Sequence, residues 1–246
     1  MTRTLSKLSE LTPARVRLDA KATPLPLRNL LNFQEDHASA RDAIFEKVDW
    51  TQLEATVGPL HHVRSRAHSR EEYLRRPDLG RTLSRDASIP SSRPKLAIVL
   101  ADGLSPPALV RQAPLVIAAL REQNEDARDA PVFAASEARV ALGDAVGEAA
   151  GAEMVLVLIG ERPGLSVSSS LGAYLTYAPR PGTRDSARNC VSNIHDKGGL
   201  TAEKAASRLS WLIVAAQRAG QTGVALKDES PVDPSLPSPT QDIKET

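Results

Sequence analysis

Residues 154–177 read MVLVLIGERPGLSVSSSLGAYLTY: an apolar run, Met154 to Ile159, breaks into Gly-Glu-Arg-Pro-Gly-Leu-Ser and resumes as the alternating stretch Leu171 to Tyr177. A short, continuous apolar run bounded by turn residues predicts a buried strand, and a polar loop at its end is where α/β folds present ligand sites. Upstream, Leu96 to Ala101 is a second buried-strand candidate, followed by Asp102-Gly103-Leu104 and then Ser105, which can cap a helix that has Pro106 at its first position. Pro114 predicts a kink in that helix, which should run to about Gln123, or a later start. Val132 to Ala134 predicts a short strand, and Ser136 to Gly151 a helix whose glycines 143, 147 and 151 allow close approach to a sheet. The final helix carries Ala202, Ala205, Leu209, Leu212 and Ala216 on one stripe, is capped by Thr201 and stops at Gly220; Gly223 to Leu226 predicts a last strand. Alternating strands and helices with apolar strands predict a largely parallel, doubly wound (Rossmann-like) α/β sheet.

Further out the pattern changes. Residues 1–26 read as an extended arm interrupted by Pro13, Pro24 and Pro26. Residues 27–90 read as a smaller helical N-terminal domain: Leu30, Phe33, His37, Ala40, Ile44 and Val48 form one stripe, Leu53 centres a second helix, and Ser69 with Glu72 makes a capping box. The Ser-Ile-Pro-Ser-Ser-Arg-Pro run from Ser88 marks a boundary, so residues 91–227 form the α/β domain, and 228–246, with four prolines, a disordered tail.

Composition excludes several function classes. Thirty-one basic against thirty acidic side chains leave no field that would favour nucleic acid. No apolar run approaches the ~18 residues needed to span a bilayer. A lone cysteine, Cys190, gives no internal disulfide and fits a reducing cytoplasm. No glycine fingerprint for a dinucleotide or a P-loop follows a strand. His61 and His62 are adjacent and point apart, leaving no zinc set, and His37 reads as a core histidine. Residues 61–85 hold seven arginines, at 64, 66, 70, 75, 76, 81 and 85, a solvated basic face by default and also a candidate contact for a partner chain or for the phosphate-bearing part of a ligand.

If the strands are parallel, the DGLS loop at Asp102 and the GERPGLS loop at Gly160 lie on one edge and can line one cleft. Six runs occur in a familiar order: TPARVRLD from Thr12, LNFQEDHASARDAI from Leu31, RRPDLGRTL from Arg75, ADGLS from Ala101, GERPGL from Gly160 and RNCVSNI from Arg188. Together they resemble the small (light) subunit of ethanolamine ammonia-lyase. The resemblance implies a hetero-oligomer with a large subunit that holds substrate and most catalytic groups, using adenosylcobalamin for radical conversion of ethanolamine into acetaldehyde and ammonia. It implies no catalytic residue and no metal ligand in this chain. The positions that match the family's cofactor contacts are Val140, Glu161 and Cys190, with Val140 giving apolar surface, Glu161 accepting corrin amide N–H groups and Cys190 forming a small wall. Each has a plainer reading: helix packing for Val140, a surface ion pair with Arg162 or another arginine for Glu161, and a buried structural thiol for Cys190.

Cobalamin enzymes that replace the lower base with a protein histidine carry Asp-x-His-x-x-Gly, which is missing among the five histidines here, in keeping with the base-on cofactor that the resemblance implies. Some members carry an N-terminal extension for a bacterial microcompartment, whereas here the matching region opens at Thr12. Two other functions stay open at this level: a self-sufficient hydrolase or transferase using Cys190 with His195, and a scaffold that does not touch cofactor.

Overall fold

The structure, a computed structural model, describes residues 27–231. The expected arm with its TPARVRLD motif, and the tail from 232 onward, lie outside the described residues. Six strands form one mixed sheet: β1 (Leu60–Arg64), β2 (Leu96–Ala101), β3 (Val132–Ser136), β4 (Met154–Gly160), β5 (Leu171–Tyr177) and β6 (Asn189–Ile194). Their spatial order is β1-β3-β2-β4-β5-β6; the first four are parallel, and β5 and β6 run antiparallel to their neighbours. Eight α-helices accompany them among the described residues: α1 (Leu27–Phe45), α2 (Trp50–Val57), α3 (Arg70–Arg75), α4 (Pro77–Gly80), α5 (Pro106–Gln123), α6 (Glu125–Arg128), α7 (Leu142–Ala150) and α8 (Ala202–Ala219).

Strands β2 and β4 are buried along their whole length because helices cover both faces of the sheet. On one face Leu96, Ile98 and Leu100 of β2 and Met154, Leu156 and Leu158 of β4 meet the apolar stripes of α2, α5 and α8. The other face, with Ala97, Val99, Val155 and Val157, meets Leu142 and Val146 of α7. Each fully buried Leu, Ile or Val contributes roughly 1.5–3 kcal/mol relative to exposure, so this double contact is the main term holding the sheet. The second face is covered less completely. Helix α7 spans nine residues and packs on β2 and β4, leaving the outer part of β5 and β6 on that face open.

Several expectations hold and several are corrected. Ser105 caps α5 through the amide of Ala108, Ser69 caps α3 through Glu72, and Thr201 caps α8 through Lys204. Helix α5 continues through Pro114. The stretch read as helical over 27–90 contains β1, which completes the sheet edge beside β3. Its burial pattern is irregular, so periodicity alone did not reveal it. His61 and His62 lie there, on opposite faces: His61 tilts against Phe133 and His62 meets Trp50 edge-on. The stripe on α1 buries only Ala40 and Ala43; His37 is exposed and stacks on Phe33, so it is not a core histidine. Residues 223–225 form a 3-10 turn instead of a strand. The arginine-rich connection after Tyr177 ends in β6, which pairs with β5 across a bulge. The predicted helix from Ser136 begins only at Leu142, for a reason that lies in the site.

Candidate cofactor site

Beyond the carboxyl ends of β1 to β4 the chain gathers its loops. Gly103, after β2, and Gly160, at the end of β4, touch backbone to backbone: the amide of Leu104 donates to the carbonyl of Gly160 at 2.9 Å. A Cβ on Gly103 would fall 2.2 Å from the Gly160 oxygen, and one on Gly160 would fall 2.1 Å from the Ser105 oxygen. Both positions therefore require glycine, and both loops border one cleft.

Asp102 accounts for the late start of α7. Its Oδ1 accepts the amides of Gly103 and Ala138, both at 2.9 Å, and Oδ2 accepts the amide of Glu137 at 2.8 Å. Residues 137–141 therefore wrap the carboxylate instead of entering the helix, with Glu137 in the left-handed region at φ 50°. In open α/β sheets such a cluster of amides where neighbouring loops part is the usual anion-binding crevice. Here an internal carboxylate fills it. Burial, then the neighbouring Glu137 carboxylate, pushes Asp102 up to about 6, against the pull of the amides and of Arg70. Arg70 contacts Glu137 at 3.0 Å and Asp102 at 3.7 Å, and its Nε donates to the carbonyl of Ile44.

The open cleft lies to the other side, on the face that α7 covers only in part. It is a cavity of about 440 Å³ whose walls include Val140, Glu161 and Cys190, together with Arg139, Tyr174 and Arg188. The three residues expected from the sequence thus come from three separate segments and converge. Val140, half-buried in the β3–α7 loop, packs against the core under α7. Glu161 opens the β4–β5 loop; its Oε2 accepts the Ser170 hydroxyl at 2.6 Å and its amide donates to the Ser170 carbonyl. Gly172 leaves room for it, since a Cβ there would sit 3.0 Å from Oε1. No ion pair among the described residues involves Glu161, so the alternative of a surface pair with Arg162 or another arginine is not seen.

Cys190 is exposed on β6, directly opposite Tyr174 of β5. Shielding by its neighbours raises the thiol above its ordinary value, while the Tyr174 hydroxyl, bonded to it, opposes the shift. A raised thiol is a poor nucleophile at neutral pH. His195 does not assist it. The histidine lies past the end of β6, after Asn193 in the left-handed region at φ 62°, and its ring is buried, with Nε2 against Asn193 Oδ1 at 2.8 Å and Nδ1 accepting the amide of Lys197. Cys190 and His195 therefore do not form the nucleophile–base pair that a hydrolase or transferase would need.

Sequence reasoning missed much of the wall. Arg188 is buried and forms a two-pronged pair with Asp144 of α7, Nη2 to Oδ2 at 2.7 Å, while also donating to Thr176 and to the carbonyl of Thr183. An aspartate within the apolar stripe of a predicted helix was the available signal for a buried cation. Tyr73 is fully buried between the guanidinium groups of Arg70 and Arg139, at 4.8 and 4.2 Å from its ring centroid, and its hydroxyl donates to the carbonyl of Ala138. The seven arginines of residues 61–85 do not form one face: Arg70 turns inward, Arg64 and Arg76 pair with Asp86 and Asp78, and Arg81 reaches the cavity.

Comparison with known proteins agrees with the motifs. The family model described as ethanolamine ammonia-lyase light chain (EutC) matches residues 2–227. An ethanolamine ammonia-lyase small subunit of Rhodopseudomonas palustris is 49% identical over 237 residues, covering 92% of this chain and 90% of the relative. That of Bradyrhizobium diazoefficiens is 48% identical, covering 91% and 90%, and that of Rhodococcus erythropolis 43%, covering 92% and 90%. No helix among the described residues is long and apolar enough to cross a membrane. The chain belongs to the ethanolamine ammonia-lyase light chain family, the small-subunit component of that lyase.

Proposed function

We propose that the cavity is one wall of an adenosylcobalamin site, completed by the large subunit, and that this chain serves the radical deamination of ethanolamine to acetaldehyde and ammonia by holding and orienting the cofactor. The observation that carries this reading is the convergence of Val140, Glu161 and Cys190 on a single open cavity at the carboxyl edge of the sheet. The residues fit such a group. A corrin rim bears neutral amides that can donate to Glu161, Val140 supplies apolar contact, and Cys190 is small enough to let the rim approach. The guanidinium-bearing Arg139 lines the same wall and adds positive charge to it. Size supports a shared site. At about 440 Å³ the cavity is in the lower part of the ~300–1,000 Å³ range that encloses drug-sized ligands, so a macrocycle larger than those would be covered only in part.

The cofactor, when bound, supplies the radical chemistry; this chain's residues bind it, fix its position and exclude water from one side. Parallel β1, β3, β2 and β4 with helices on both faces form a doubly wound core, and the antiparallel β5 and β6 extend it so that Tyr174 and Cys190 reach the site. On this reading residues 27–90 furnish one rim and 91–227 the floor, the cofactor is base-on, and the assembly sits in the cytoplasm, with microcompartment packaging decided by the N-terminal segment. The test is titration of cobalamin into the complex with the large subunit. Glu161→Ala should raise the dissociation constant about tenfold or more, the value of a charged hydrogen bond. An unchanged constant would favour a scaffold that does not touch cofactor.

A further inference from the structure

The cavity has two chemically different ends, set by the order of the strands. Glu161 follows β4, and Tyr174 and Cys190 stand on β5 and β6, whereas Arg139 follows β3 and Arg81 follows the helices after β1. One end therefore mixes a carboxylate and hydroxyl with its arginines, Arg162 and the Asp144-paired Arg188, whereas the other presents arginines with no carboxylate among the lining residues. Arg139 is built into its place. Its backbone amide donates to the carbonyl of Gly80 at 2.9 Å, its Nη2 donates to the carbonyl of Tyr73 at 3.3 Å, and its guanidinium lies over the Tyr73 ring. Gly80 preserves this packing, since a Cβ there would come within 3.0 Å of both Tyr73 and Arg139.

The charge at that end has no carboxylate to serve. Asp102 and Glu137, the nearby acids, are met by Arg70, and among the described residues no ion pair involves Arg139 or Arg81. The Arg139 Nε is buried without a hydrogen-bond partner. A rigid, stacked guanidinium with donors to spare suits a tetrahedral oxyanion better than a neutral amide. A cobalamin carries one such group, the phosphodiester in its nucleotide arm.

We infer that Arg139, with Arg81 at the mouth, forms an anion subsite for the cofactor's phosphodiester, so that the nucleotide arm points toward the β1–β3 end and the corrin rim toward Glu161. This rests on the cobalamin reading and adds an orientation to it. Arg139 acts as a positioning residue through charge, and Arg81 reinforces it from a more exposed place.

Equilibrium binding of two probes to the complex with the large subunit decides the matter: cyanocobalamin, and dicyanocobinamide, which keeps the corrin but lacks the phosphate-linked nucleotide. Arg139→Met should weaken cyanocobalamin about tenfold or more and leave cobinamide within about twofold. Arg139→Lys, which keeps the charge but not the stacked fork, should bind cyanocobalamin measurably better than Arg139→Met and less well than wild type, and Arg81→Met should weaken it by a smaller factor. Equal weakening of both probes, no change in either, or an Arg139→Lys as weak as Arg139→Met would each overturn the subsite. Should wild type fail to hold cobinamide, the Lys and Met comparison alone decides. Elution with the large subunit and an unchanged melting midpoint show that the variants fold. A wild-type complex that binds neither probe would instead overturn the cobalamin reading itself.

Discussion

Asp102 occupies, as a side chain, the amide cradle that many α/β proteins reserve for a phosphate. Two oxygens serve three backbone N–H groups, and that satisfaction bends residues 137–141 out of helix and carries Arg139 and Val140 to the cavity. The group is also a titration element. Its folded value near 6 stands above the ordinary 3.8 because burial, followed by Glu137, disfavours the charge. Between about pH 4 and 6 the folded state then holds more protons than the unfolded one, so this residue's contribution to stability falls as pH rises through that window and is level above it. Asp102→Asn removes the slope. Its fixed cost, an amide group placed against the Glu137 N–H, is the same at every pH. Urea unfolding of both proteins should therefore show the variant gaining on wild type by about 1–3 kcal/mol between pH 4 and pH 7. A difference that does not move with pH would mean that the amides hold Asp102 ionised throughout.

Among the elements, α7 and β4 show how close packing shapes the site. A Cβ on Gly143 would meet Val157 Cγ2 at 2.3 Å, and one on Gly147 would meet Pro179 at 2.6 Å. Glycine costs a helix roughly 0.5–1 kcal/mol relative to alanine, yet here it lets the helix axis approach the sheet. Gly143→Ala decides which effect dominates. Overpacking a filled core costs about 1–3 kcal/mol, so the melting temperature should fall; a rise would show that β4 yields easily. The close approach was legible in the i, i+4 spacing of glycines 143, 147 and 151. The late start of the same helix was not, because it depends on a carboxylate some thirty-five positions earlier.

Across the whole molecule, Arg188 ties α7, β5 and the connection before β6 into one wall. Both partners of its pair with Asp144 are almost wholly buried, at 2% and 0% exposure. Removing one member strands the other's charge, which typically costs 3–5 kcal/mol. Arg188→Met should lower the free energy of unfolding by that amount and, on the proposed cobalamin reading, loosen cofactor binding together with it, whereas the double change Arg188→Met with Asp144→Leu should recover much of the stability. Full stability in the single variant would show that the pair contributes little.

The sequence by itself determined the strands β2 and β4, the capped helices α3, α5 and α8, the family, and three of the residues around the cavity. These follow from local causes: apolar runs, a hydroxyl ahead of a helix, short motifs in a set order. It did not determine β1, whose placement comes from pairing with β3 seventy residues away, nor β6, whose polar residues read as a loop until Tyr174 and Cys190 stand opposite each other. The polarity of the cavity was equally out of reach. Arg139 and Glu161 become its two ends only because strand order separates β3 from β4 by β2, and strand order is set by long-range packing on two faces rather than by any stretch of chain.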